Sequence, residues 1–227
     1  AFAHDGGAHV DAIMKGATYE HIIPGIVGNW RRISLSDNSG LASAAYVLKG
    51  FGHIAEGEEK DPRVRVFLER IKKLCRDGLD ISLLEDEHFF LAEEIFNGRK
   101  VYMNMDSCNL WTGYVNGNND KHTEGCSIGL NVDGKTVPVM GNGTGGQLGV
   151  AYANIKEAVS SVGRGSDLVL EKFKPHIPKG REGADTPIQI TIRYRTPEGR
   201  HITTTDFHEN IIIGGLKAGV KALILYQ

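Results

Sequence analysis

Two histidines and two acids stand close together near the start of the chain, in the run His4-Asp5-Gly6-Gly7-Ala8-His9-Val10-Asp11. Imidazoles and carboxylates ligate divalent metals and move protons near neutral pH, so the run admits a metal-dependent hydrolase built on His4, Asp5, His9 and Asp11, or a proton relay. The spacing is poor for a metal, because histidines five apart do not share a helix face as a pair four apart would. Arg31-Arg32, followed by Ser34, Ser36, Asp37, Asn38, Ser39 and Gly40, can bind a carboxylate or fold into a polar turn. Tyr46 offers a phenol that either donates a proton or packs half-buried on a helix. Further on, Gly141-Asn142-Gly143-Thr144-Gly145-Gly146 precedes a helical stretch. Backbone amides at such a junction can receive an anion, and the plain alternative is a tight strand-to-helix turn that binds nothing. No Lys-Ser or Lys-Thr follows the glycines, which excludes a P-loop.

Composition narrows the field. The chain has 227 residues, 41% of them hydrophobic, with 26 Lys and Arg against 28 Asp and Glu, for a net charge of -2. Such a balance gives no long-range attraction to phosphate backbones or anionic lipid, so no nucleic acid and no membrane are expected as partners. The densest basic stretch, Arg63 to Arg76, carries Val64, Phe67, Leu68, Ile71 and Leu74 at helical spacing and reads as the wet face of a helix. Cys75, Cys108 and Cys126 form no CxxC pair, as expected of reduced thiols in a cytoplasmic protein. No apolar run approaches the ~20 residues that span a bilayer.

The elements that must position these residues fall into an α+β order. Helical spacing marks His9 to Lys15, and a second helix follows Ser39-Gly40 through Tyr46 to Lys49. Asp61-Pro62 sets a capping side chain before a Pro at the first helical position, and Asp77-Gly78 stops that helix. Asp80 to Phe96 reads as another helix. Beyond Gly98 the period becomes alternating: Lys100 to Trp111, Ser127 to Val132 and Lys135 to Met140 are strands, the last two joined at the hairpin signal Asp133-Gly134. A helix from Gln147 to Val162 follows, and then the order recurs with Leu168 to Lys174, Ile188 to Arg195, His201 to Asp206 and a helix from Glu209 to Leu225. Two pseudo-symmetric βββα units are therefore expected after a helical N-terminal segment, with boundaries at 1–55, 56–97 and 98–227.

Taken in order, the residues resemble a known family. The run AFAHDGGAHVDAIMKGATYEHIIPGIVGNWRRISLSDNSGLASAAYVLKGFG is similar to the segment that follows the catalytic barrel in citramalate synthases, and less closely to that of 2-isopropylmalate and homocitrate synthases. DPRVRVFLERIKKLCRDG and the doubled strand-helix pattern, with GNGTGG before one helix and HENIIIGGLKAG at the other, resemble the linker and allosteric domain of the same enzymes. The resemblance implies condensation of acetyl-CoA with a 2-oxo acid, pyruvate for citramalate synthase, at a divalent metal held in a (β/α)8 barrel. It implies that a His and a Tyr from the post-barrel segment reach the partner subunit's active site, and these fall on His9 and Tyr46. It also implies a homodimer whose C-terminal domain binds leucine or isoleucine as feedback inhibitor. Asn142, Gly143, Thr144 and Gly145 would then offer amides to the effector, and Glu209, Asn210 and Ile211 acceptor and apolar groups.

The departures matter too. A (β/α)8 barrel takes ~250 residues, and every residue here is assigned elsewhere. There is no His-x-His pair, so no metal or other cofactor is expected in this chain and it is expected to be inactive alone, as the C-terminal portion of a longer synthase. Asp37-Asn38 replaces part of the family's usual run, which leaves the 2-oxo acid open. A stand-alone small-molecule-binding protein is the other-class alternative, alongside the His4/His9 hydrolase.

Overall fold

Asp61 shows how directly this sequence writes its helices. Its carboxylate accepts from the Arg63 amide at 2.8 Å, and Pro62, with no amide to satisfy, opens α2 (Pro62–Arg76). A computed structural model describes residues 3–4, 32–82, 84–98, 103–115, 118–163, 165, 167–178 and 186–226. The chain divides into two units, Ala1–Arg99 and Lys100–Gln227. The helix expected over His9 to Lys15 lies outside the described residues.

In the first unit β1 (Ala3–His4) pairs in parallel with β2 (Arg32–Ile33), and α1 (Leu41–Gly50), α2 and α3 (Glu85–Asn97) follow. Val64, Phe67, Leu68 and Ile71 make one buried stripe on α2, and they share a core with Leu35, Ala44, Ala45, Leu48, Ile81 and Ala92. The helix expected from Asp80 begins five residues later, at Glu85. The reason is tertiary: Ile81 is buried in the core and the Ser82 carbonyl accepts from the Leu35 amide at 3.0 Å, which pins the segment outside the helix. Glu85, Asp86 and Glu87 then occupy the first turn, where the helix dipole favours negative charge.

The second unit is βββα twice over. β3 (Met103–Val115), β4 (Asn118–Val132) and β5 (Lys135–Gly143) form one antiparallel meander, and α4 (Gln147–Ser161) follows. β6 (Val169–His176), β7 (Ile188–Arg195) and β8 (His201–His208) form the second, and α5 (Ile211–Leu225) follows. The fold is α+β, and among the described residues neither sheet closes into a barrel. Asp133 and Gly134 both take positive φ, 52° and 79°, as a two-residue hairpin turn demands. The strand expected from Ser127 starts nine residues earlier, at Asn118, because a polar segment of low strand propensity is held in register against β3, Thr112 facing Glu124 and Leu110 facing Cys126.

Alternation assigns the sheet faces. Cys126, Ile128, Leu130 and Val132 are buried on β4 and pack toward α4, while Ile190, Ile192 and Tyr194 on β7, with Ile202 and Thr204 on β8, pack toward α5. α5 is buried on most of its circumference because β7, β8, α4 and β3 all pack on it. Two glycines set its distance from α4: Gly215 lies against Leu148, and Gly219 against Tyr152, whose ring stacks on Tyr194 with centroids 5.1 Å apart. Since Leu148 and Tyr152 are met in the same order as Gly215 and Gly219, the helices run in the same sense.

Two measurements test this packing. A Cβ at Gly219 would sit 2.8 Å from both Tyr152 Cε2 and Tyr194 Oη. Gly219→Ala is therefore expected to cost about 1–3 kcal/mol in denaturant unfolding, whereas Gly149→Ala, in open space on α4, should gain about 0.5–1 kcal/mol. The second concerns His88, which is 1% exposed and whose pKa is lowered to about 4, chiefly by burial and despite the Ile81 backbone. The unfolded chain, titrating near 6.5, binds the proton first, so stability is full above pH 6.5 and falls as pH drops toward 4. About 3 kcal/mol of stability should be lost across that window, and His88→Leu should flatten the loss.

Candidate functional site

The glycine run joining β5 to α4 is shaped by close approach at one end and by backbone conformation at the other. A side chain at Gly141 would collide with Asn154 of α4, and one at Gly143 would lie 3.2 Å from Val150. Gly145 and Gly146 hold φ of 118° and 84°, values L side chains rarely adopt. The chain thus turns sharply into α4, whose first amides point outward with no side chain capping them at Gly146. Uncapped amides at a helix start carry partial positive charge and attract anions.

The equivalent start of α5 is closed. Asn210 Oδ1 accepts from the Ile212 and Ile213 amides at 2.9 and 3.1 Å, and the Asn210 amide donates to His208 Nδ1 at 2.9 Å. Asn210, expected from the sequence as an effector acceptor, therefore has its carbonyl engaged as an N-cap. Glu209 and Ile211 are exposed beside it. Because α4 and α5 run in the same sense, both loops lie at one end of the unit, so the two halves of the expected site share that end. Asn142 is exposed, and the alternation of β5 points it to the sheet face opposite Gly141, Gly143 and α4. Thr144 is also exposed.

One residue at this end has no place in the sequence-based site. Glu124 pairs with Gly143 across the sheet, on the face toward α4, and its side chain is only 7% exposed. The Thr112 hydroxyl donates to its Oε2 at 2.7 Å and accepts from Gln147 Nε2, the first residue of α4, at 3.1 Å. Its Oε1 faces His122 Nε2 at 3.5 Å. The signal for Glu124 was present: it continues the period-two series of Cys126, Ile128, Leu130 and Val132 back along β4. On the same face, burial pushes the Cys126 thiol up, and burial with Cys126 nearby does the same to Cys108, so both favour the unreactive thiol form. At the far end, Gly165, Thr196, Glu198, Arg200 and Tyr226 line an open cleft of about 500 Å³ beside the helix C-termini.

In the first unit Tyr46 lies half-buried on α1, packed against the core. His9, Asp5 and Asp11 lie outside the described residues, and His4 stands in β1. The serine cluster is tied into a turn: the Ser36 amide donates to Ser39 Oγ at 2.9 Å, the Asn38 amide to Ser36 Oγ at 3.3 Å, and Ser39 Oγ to the Ser34 carbonyl at 3.4 Å. Among the described residues no group of three or more His, Cys, Asp or Glu could hold a metal ion, and no helix is long and apolar enough to cross a membrane.

A helical module followed by a doubled βββα module defines the class of this protein. No family model matches the chain. Individual relatives do. The (R)-citramalate synthase of Aquifex aeolicus is 28% identical over 226 residues, covering 93% of this chain and 40% of the relative. The (R)-citramalate synthase of Sulfolobus acidocaldarius is 43% identical over 84 residues, 37% of this chain and 16% of the relative. A probable 2-isopropylmalate synthase of Methanopyrus kandleri is 26% identical over 227 residues, 98% of this chain and 42% of the relative. The chain is thus related over nearly its whole length to the C-terminal part of the citramalate and 2-isopropylmalate synthases, and spans about two fifths of the length of the relatives it matches from end to end.

The contrast between the two helix starts is measurable. Asn210→Ala removes the acceptor of two amides and should lower unfolding stability by about 1 kcal/mol, and Asn210→Asp should restore it. Gly146→Ser, placed where no cap exists and φ is positive, should give no such gain.

Proposed function

We propose that this chain is the accessory and regulatory portion of a citramalate synthase-like enzyme that condenses acetyl-CoA with a 2-oxo acid. The near full-length similarity to (R)-citramalate synthases carries this reading, and the doubled βββα module supports it. In it, residues before Gly52 complete an active site whose barrel is built by other residues, in a homodimer. The divalent cation, in this reading, belongs to that barrel. An imidazole at His9 relays a proton at the oxygen where negative charge develops, and the Tyr46 phenol donates to the same centre. The half-buried position of Tyr46 on α1 suits this, because the core fixes the base of the side chain.

The C-terminal unit, in the same reading, binds a branched-chain amino acid as feedback inhibitor. The support is chemical: the open start of α4 with Gly143, Thr144 and Gly145 offers amides for a carboxylate, and Ile211 lies at the same end. The chain alone should release no CoA from acetyl-CoA and pyruvate. Supplied in trans with the barrel of a citramalate synthase it should restore turnover, and His9→Ala should lower that turnover about a hundredfold or more. Titration calorimetry with isoleucine and with leucine should give saturable heat with at least one; silence with both at millimolar ligand would remove the regulatory half of the proposal.

A further inference from the structure

The two sheets of the C-terminal unit are alike on the faces that meet the helices and unlike on the faces that do not. The first strand of each carries a bulge, between Met105 and Ser107 on β3 and between Leu170 and Lys172 on β6, from which the rows of residues can be counted. On the face away from the helices, the first two rows past the bulge of the first sheet are Ser107-Gly129-Pro138 and Asn109-Ser127-Met140, with no charge among them. The same rows of the second sheet are Lys172-Arg193-Thr203 and Lys174-Thr191-Thr205. Lys172, Lys174 and Arg193 are exposed, and among the described residues no carboxylate pairs with them. Glu171, in the bulge, is engaged elsewhere: its Oε1 accepts from Arg195 Nε at 2.8 Å, and its Oε2 lies 3.0 Å from His201 Nε2. Like charges set directly across a sheet repel, and Lys172 stands opposite Arg193. Lysines on an edge strand such as β6 keep other strands away, but Arg193 is on the central strand, where no such protection is needed.

We propose that this open face of the second sheet binds an anion carrying several adjoining phosphate groups, held by Lys172, Lys174 and Arg193. Directly opposed side chains start ~5 Å apart and residues two apart on a strand ~7 Å apart, so three long cationic side chains converge on one compact anion. A phosphate group gathers about two charges on one tetrahedron and accepts two parallel bonds from a guanidinium, which suits such a cluster better than carboxylates spaced along a protein surface. A nucleic acid needs a longer track of cations. Here the patch is bounded: on one side the next row runs through Gln189, which is buried, and on the other the Glu171 ion pairs close it. The whole-chain charge of -2 conceals this local surplus. Binding at this face is independent of the amino-acid-sensing reading, and its ligand is either a free polyphosphate or the phosphates of a nucleotide-type coenzyme.

The test is calorimetric titration of the full chain at low salt with tripolyphosphate, ATP, coenzyme A and orthophosphate. Tripolyphosphate should bind at least about tenfold more tightly than orthophosphate, and its affinity should fall as salt is raised. ATP or coenzyme A binding more tightly than tripolyphosphate identifies a nucleotide as the source of the phosphates, and the reverse order a free polyphosphate. Lys172→Gln and Arg193→Gln should each weaken tripolyphosphate about tenfold, and Lys60→Gln, in the first unit, should leave it unchanged. Because each of the first two ends a repulsion across the strands, both variants should melt no lower than the unaltered chain. If Arg193→Gln fails to fold, Lys172→Gln on the edge strand decides. Tripolyphosphate binding no tighter than orthophosphate, or undiminished in the folded variants, overturns the proposal. So does tighter binding of a hexaglutamate peptide or a single-stranded oligonucleotide, which would assign the face to an acidic protein or a nucleic acid.

Discussion

The approach of α4 to α5 is the constraint on which the C-terminal unit depends. Gly215 and Gly219 remove two side chains from one turn of α5 to the next, and Leu148 and Tyr152 fill the space. Dispersion and apolar burial are gained only where such surfaces fit, and a slip of one turn would set Tyr152 against Leu223 in one direction or Leu148 against Ile211 in the other. The Tyr152 and Tyr194 rings fasten the same junction to β7, and burial raises the pKa of both phenols well above the ordinary range. Thr204 donates a hydrogen bond of 2.7 Å to the Ala218 carbonyl and ties α5 to β8. With both helices fixed, the loops before them are fixed too, and the uncapped start of α4 is brought to Thr112 and Glu124.

The first unit relies on a different device. Phe51, Phe89 and Phe96 gather around His53, which stacks on Phe96 at 5.3 Å, and Arg63 lies 4.5 Å over the same Phe96 ring. The Arg63 guanidinium also meets Asp61 at 2.7 Å, so the residue that caps α2 and the ring that ends α3 share one cation. Burial lowers the His53 pKa although Glu93 stands 3.4 Å away, which leaves the ring free to stack as a neutral aromatic at neutral pH.

Local chemistry was legible wherever one short signal decides the structure. Asp61-Pro62 fixed the start of α2, Asp133-Gly134 fixed a hairpin, and the recurrence of three strands and a helix was readable from period alone. Tertiary decisions were not. Asn118 to Cys126 is too polar to read as a strand and becomes one only by pairing with β3, and Asp80 to Leu84 has helical spacing that the pull of Ile81 into the core overrides. At the site, Asn210 was open to recognition as a cap from its position before an apolar run. Glu124 was harder, since a lone acid among polar residues resembles any solvated side chain until the alternation from Val132 is carried back to it.

Antiparallel packing, as in up-down helix bundles, lets the dipoles of neighbouring helices offset one another. In this module α4 and α5 point alike, and Gly165 and Tyr226, just past their ends, meet within 3.0–3.2 Å of where a side chain at Gly165 would stand. The two macrodipoles therefore add, each contributing roughly half an elementary charge of either sign at its ends. The module is polarised from end to end like a small bar magnet, with its glycine turn at the electropositive pole. Its field would orient any approaching zwitterion, acid end first, before a single hydrogen bond had formed.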